Sequence, residues 1–102
     1  MRKIEVADIS IDEDGRLRIR PRQAEDIFQY VYRAAAEIRW DADQACFATP
    51  KPREWSYLQW FQHARAAIRS ELGRDLELNG RTTWANIPDV LRAEISSALA
   101  AG

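Results

Sequence analysis

Near the start of the chain, apolar and polar residues alternate in two runs, and the alternation slips once. Ile4 and Val6 share one phase, Ile9 and Ile11 share the other, and the slip falls at Ala7-Asp8. A one-residue slip carries a whole set of side chains to the other face of a sheet. The pattern therefore calls for a bulge at that point or for a strand that begins near Asp8. Beyond Glu13-Asp14-Gly15, the run Arg16-Leu17-Arg18-Ile19-Arg20 reads as a second strand. A two-residue loop at Asp14-Gly15 opposes Ile11 to Arg18 and mixes the faces. A three-residue loop, Glu13 to Gly15 with Gly15 left-handed, opposes Ile11 to Leu17 and Ile9 to Ile19. It also sets Asp12 across from Arg16 and Asp8 across from Arg20 on the solvent side. The second register is the expected one.

Pro21 suits the first turn of a helix, with Glu25 and Asp26 at its positive end, and the pattern predicts that this helix runs to about Arg39. On a helical projection Gln29, Arg33 and Glu37 form a narrow polar strip. Ile27, Phe28, Tyr30, Val31, Tyr32, Ala34, Ala35 and Ile38 fill an arc of roughly 200°, about twice what a surface helix needs. One sheet cannot cover such a helix, so a further surface must pack on the Phe28/Tyr32 side.

A polar turn at Asp41 to Gln44 precedes a short strand, Ala45 to Thr49, and Pro50-Lys51-Pro52 enforces an extended connector. A second helix is expected from about Arg53 to Leu72, closed by Gly73. Its core stripe is Tyr57, Phe61, Ala64, Ile68 and Leu72, flanked by Trp60 and Ala67, while Gln59, Gln62, His63, Arg69 and Ser70 face away. Leu76 and Leu78 lead to Asn79-Gly80, a strong hairpin signal, and Thr82 to Ala85 reads as the return strand, with two- and three-residue loops both fitting. Pro88 opens a last helix carrying Leu91, Ile95, Ala98 and Leu99 on one side. The order β-β-α-β-α-β-β-α predicts an α+β fold: one domain over residues 1–102, with a small, largely antiparallel sheet of about five strands and three helices packed on it.

Composition narrows the functional classes. The 102 residues hold 15 Lys and Arg against 16 Asp and Glu, a formal net charge of -1. No global field is available to hold a nucleic acid or an anionic membrane, so neither is an expected partner. Arg16, Arg18, Arg20 and Arg22 resemble a phosphate-binding strip, but the expected register lets them meet Asp8 and Asp12. No apolar run approaches the roughly 20 residues of a membrane helix. Met1 to Glu5 holds no apolar signal core, and a lone cysteine cannot close an internal disulfide, so a cytoplasmic location is expected.

Catalytic chemistry is hard to assemble from these residues. His63 is the only histidine and has no carboxylate near it on its own helix face, so a solvated surface role is expected rather than that of a general base. Cys46 lies in an apolar strand with no cationic neighbour apparent and reads as an inert buried thiol. One His and one Cys, 17 positions apart, make no metal site, and no glycine-rich loop is present to cradle a cofactor. No metal, cofactor or catalytic residue is expected.

The aromatic residues carry more information. Four Trp, three Tyr and three Phe cluster around Arg39-Trp40 and Trp55 to Phe61. Large rings fill small cores, but they also dominate interface anchors. Phe28, Tyr32, Trp55 and Trp60 are the candidate anchors of an interface, in a homo-oligomer or with another protein. The alternative is a small-molecule site or enzyme with an aromatic-lined pocket. There Trp40, Trp55 or Trp84 would stack a ligand, and Arg39 or His63 would supply polarity.

Three segments carry a resemblance: Tyr30 to Asp41 (YVYRAAAEIRWD), Pro52 to Tyr57 (PREWSY) and Thr83 to Pro88 (TWANIP). Together they resemble small proteins encoded by integron gene cassettes of the mobile metagenome, over about Ile11 to Ile95. The resemblance implies a compact α+β domain, oligomeric, in a family without assigned chemistry, and it supplies no functional residues. The combined expectation is a non-catalytic, homo-oligomeric interaction module.

Overall fold

The computed structural model describes residues 1–102. Strand β1 spans Arg2–Ile11 and β2 spans Leu17–Pro21, joined by the three-residue loop. Ile11 faces Leu17, Ile9 faces Ile19 and Asp8 faces Arg20, and Gly15 has φ +81°, as the register required. The register shifts between Val6 and Asp8, so the phase slip is a bulge at Ala7 within one long strand. Val6 and Ile9 are thereby both core residues although they lie three positions apart.

The expected helix over residues 21 to 39 is not there. Pro21 ends β2, where its missing N–H is harmless at a strand end. A 3-10 helix spans Asp26–Arg33, and the chain then turns into strand β3, Arg39–Asp41. The run Ile27-Phe28, Tyr30-Val31-Tyr32 is β-branched and aromatic, and such side chains crowd a preceding α-helical turn. Three residues per turn also sort this stretch cleanly. Phe28 and Val31 are fully buried, whereas Ile27, Tyr30 and Tyr32 stay outside. The broad apolar arc is thus an artefact of the wrong period: two faces of the 3-10 helix are solvated and one is core.

Strand β4, Cys46–Ala48, pairs with both β3 and β2. Helix α1 spans Tyr57–Leu72, starting four residues after the expected Arg53. Ser56 sets that start: its Oγ accepts from the Gln59 N–H and the Gln59 Oε1 accepts from the Ser56 N–H, a reciprocal cap. Gly73, at φ +64°, closes the helix as expected. Helix α2 spans Asp89–Ala100, with Pro88 as its N-cap and Leu91 and Ile95 buried.

Strands β5, Arg74–Glu77, and β6, Thr83–Ala85, do not form the expected hairpin. Both lie parallel to β1, β5 along Arg2 to Glu5 and β6 along Asp8 to Ser10. The Asn79-Gly80 segment is a jog between two stretches of one edge. Its reason is the bulge: the Thr82 hydroxyl donates to the Val6 carbonyl at 2.8 Å and the Thr83 hydroxyl to the Ala7 carbonyl at 3.2 Å. These are carbonyls at the irregular step of β1, and leaving such groups buried and unpaired is costly.

The fold is α+β, with three helices and a mixed, mostly antiparallel six-stranded sheet in the order β3-β4-β2-β1, where β1 pairs with β5 and β6. The register aligns Trp40, Phe47, Ile19, Ile9 and Trp84 in one row across five strands. That row faces the helices, and its inner members join Phe28, Phe61, Ile68 and Ile95 in one core cluster. No helix is long and apolar enough to cross a membrane.

Candidate functional site

The segment Ala34 to Trp40 leaves the 3-10 helix and enters the edge strand β3, and most of the candidate residues gather around it. Glu37 lies at its middle. Its Oε1 is 3.2 Å from His63 Nε2, on α1. The carboxylate that His63 lacks on its own helix therefore comes from 26 residues upstream in the chain. The His63 ring also sits edge-on to Trp55, at 5.2 Å between centroids, and to Trp60, at 5.8 Å, while the two indoles are 4.8 Å apart. His63 is thus a partly enclosed, partnered histidine rather than a solvated one. The indole N–H of Trp60 is buried without an acceptor.

Trp55 stands 42% exposed at the start of this cluster, on the bend that precedes Ser56. With Trp60, Glu37 and the Pro50–Glu54 connector it bounds an open cleft of about 800 Å³. A second shallow cleft, of about 400 Å³, lies between Gln29, Tyr32, Ala36, Arg39 and Trp40. Gln29 and Tyr32 share one face of the 3-10 helix because they are three residues apart, which explains why both border it. Tyr32 is 51% exposed.

Two candidates are placed elsewhere. Phe28, expected as an interface anchor, is wholly buried: its ring packs on Trp40 at 5.3 Å and Phe47 at 5.2 Å. The third member of that trio closes the triangle, with Trp40 and Phe47 at 4.9 Å. Trp84 lies at the opposite edge of the sheet from Trp40, four strand spacings or about 19 Å away. Its ring is covered by the Arg92 guanidinium at 5.1 Å. A single pocket holding Trp40, Trp84 and His63 is not formed.

Half of the arginine strip is paired within the chain. Arg18 donates to Asp12 at 2.6 Å and to Asp41 at 2.9 Å, and Arg22 lies 3.0 Å from Glu5. Arg18 also approaches the Cys46 sulfur at 3.1 Å, a cationic neighbour that the sequence did not reveal. Burial still prevails there and pushes the Cys46 thiol up, against the pull of Arg18. Arg16 and Arg20 have no carboxylate within ion-pair distance, although Arg20 stands opposite Asp8 in the register. The Asp8 side chain accepts from Thr83 instead. No group of His, Cys, Asp and Glu is arranged to hold a metal ion.

The residue that sequence reasoning missed is Glu37. On an α-helical projection it falls on a solvated strip, and nothing in the sequence signals that the chain turns there toward α1.

A family model described as Integron Cassette Protein Hfx_Cass5 matches residues 4–82. No curated protein matches the chain. A solved structure, titled as an integron cassette protein, Hfx_Cass5, from the mobile metagenome of the North West Arm sewage outfall, is 43% identical. The match covers 98% of each chain, with a TM-score of 0.47. By this match over most of its length, the chain belongs to the Hfx_Cass5 integron cassette protein family.

Proposed function

We propose that this cassette protein is a non-catalytic interaction module that pairs with a second copy of itself through the face carrying Tyr32 and Trp55. The observation that carries this reading is their exposure. The core is closed by seventeen buried apolar residues, yet Tyr32 and Trp55 remain 51% and 42% exposed around the Ala34–Trp40 segment. Large rings held at a surface are the commonest anchors of protein interfaces.

The charges around them favour a second copy over an oppositely charged partner. Arg39 borders Tyr32, while Lys51, Arg53, Glu37 and Glu54 border Trp55. A patch that carries both signs can oppose itself across a two-fold axis, because cations of one copy can meet an anion of the other. The net charge of -1 adds little repulsion between copies.

The clefts themselves support binding better than turnover. They are open to solvent, and the nearby hydroxyls are already engaged. Ser56 caps α1, and Thr49 donates to the Pro50 carbonyl while accepting from the Leu17 N–H. Neither is free to act as a nucleophile for His63.

Size-exclusion chromatography with light scattering, over a wide range of protein concentration, tests the reading. The native chain is expected as a dimer. Tyr32→Glu and Trp55→Glu are each expected to yield monomers with an unchanged circular dichroism spectrum. A native chain that stays monomeric at high concentration refutes it.

A further inference from the structure

The sheet face turned away from the helices carries a second feature, which shares Arg39 and Glu37 with the borders of the self-association face. Strand β4 contributes only short side chains to it. In the register, Ala48 is flanked by Arg18 on β2 and by Arg39 on β3. Strand alternation puts Arg16 on the same side as Arg18. A small residue between two long-chained neighbours leaves a trough, here about 690 Å³, with Arg16, Arg18 and Arg39 along its walls and Ala48 and Thr49 in its floor. The flanking strands β2 and β3 lie two strand spacings apart, about 10 Å, which is wide enough for a group the size of a phosphate.

The charge inventory of this trough decides what it would take. Three guanidinium groups face it, together with the carboxylates of Glu37 and Asp41. Both acids are already committed. Asp41 accepts from Arg18 and from the N–H groups of Asp43 and Gln44, and Glu37 is held by His63. Arg18 in turn is matched by Asp12 and Asp41. Arg16 and Arg39 have neither a carboxylate within ion-pair distance nor a hydrogen-bond acceptor for their guanidinium groups.

We propose that the trough over β4 binds the phosphate group of a small phosphorylated ligand, with Arg16 and Arg39 as the two forks that hold it. Each guanidinium offers paired donors that match the oxygens of a phosphate. Two free cations match a dianion, whereas a monoanion leaves one of them uncompensated. Arg18, locked between two carboxylates, forms a fixed wall and does not reach for the ligand. A nucleic acid is the less suitable occupant. The free cations are two rather than a track, and affinity for a polyanion rises with the number of phosphates neutralised.

Titration of the full chain with sodium phosphate, followed by amide NMR at ionic strength held constant with sodium chloride, tests this. Saturable shifts are expected at the amides of Arg16–Arg18, Arg39–Asp41, Ala48 and Thr49. Arg16→Gln combined with Arg39→Gln is expected to weaken binding by about tenfold or more, from the loss of charge-assisted hydrogen bonds. Arg20→Gln, on the same face beyond the trough, is expected to leave it unchanged. Since both forks are exposed, the double variant should retain its melting temperature. Should it not, the double Lys replacement keeps the charge, removes the fork geometry and is still expected to weaken binding. Unsaturable shifts scattered over the basic residues overturn the proposal, as does undiminished affinity in either double variant. Much tighter binding of a single-stranded oligonucleotide that also shifts Arg20 overturns the small-ligand assignment.

Discussion

Arg65 on α1 and Asp75 on β5 form a two-pronged ion pair inside the protein, with Nε to Oδ1 at 2.8 Å and Nη2 to Oδ2 at 2.9 Å. The side chains are 11% and 8% exposed. Arg65 also donates to the Ala98 carbonyl near the end of α2, and Asp75 accepts from the Leu76 N–H. One pair thereby fastens the central helix to the sheet edge and to the last helix. Removing one partner leaves the other charged and unsatisfied. Asp75→Asn is expected to cost about 3–5 kcal/mol, as is typical of a broken buried pair, in urea unfolding monitored by circular dichroism. Replacing both residues with apolar ones of similar size is expected to cost much less.

The same pair sets an acid limit. Arg65 outweighs burial and holds the Asp75 carboxyl at about 2, below its ordinary 3.8. A carboxyl lowered in the folded state binds protons more readily in the unfolded one. Its contribution is therefore complete above pH 4 and lost as pH falls through the folded value near 2. The size is about 2 kcal/mol. Glu25 adds in the same direction, lowered by Arg74, as does Asp41, lowered by Arg18. Thermal melts between pH 5 and pH 2 should show the decline, and Asp75→Asn should flatten part of it.

Phe28 and Tyr32 lie four residues apart and should respond oppositely. Phe28→Ala empties a wholly buried site between Trp40 and Phe47 and is expected to cost about 3–5 kcal/mol. Tyr32→Ala, at a half-exposed position, is expected to change monomer stability by about 0.5 kcal/mol or less while weakening self-association. Equal losses of stability at the two positions would contradict the 3-10 period of this segment.

Thr82 is tested by its hydroxyl. Thr82→Val keeps the shape but strands the buried Val6 carbonyl and removes the acceptor of the Asn79 N–H. The expected cost is about 1–3 kcal/mol in chemical unfolding. Thr82→Ser, which keeps the oxygen, should recover most of it.

At Gly15 the sequence was readable because register and turn constrain one another. Only one loop length kept Ile9 and Ile11 opposite Ile19 and Leu17, so strand pairing followed from face matching alone. The caps of α1 were less evenly legible: Gly73 announced the end, but a Pro-rich approach and a Trp-containing bend hid the start at Ser56. The stretch from 21 to 39 misled because β-branched and aromatic residues fit either period on paper. Burial against Trp40 and Phe47, which arrive from later in the chain, selected the tighter one. The site suffered the same way. Phe28, Tyr32, Trp55 and Trp60 could be named together as candidate anchors, but not which of them stays exposed. Glu37 meets His63 only because the 3-10 helix ends early and the chain turns back.

Sequence alone determined the elements whose partners lie nearby along the chain: the first hairpin, the end of α1, the last helix and the α+β class. Each depends on side-chain alternation or on a terminal residue that acts locally. Tertiary structure alone decided the parallel placement of β5 and β6 along β1, the Arg65–Asp75 pair and the gathering of Glu37, His63, Trp55 and Trp60. These depend on contacts between segments distant in sequence. Their free energy appears only once the sheet brings those segments together and excludes water from between them.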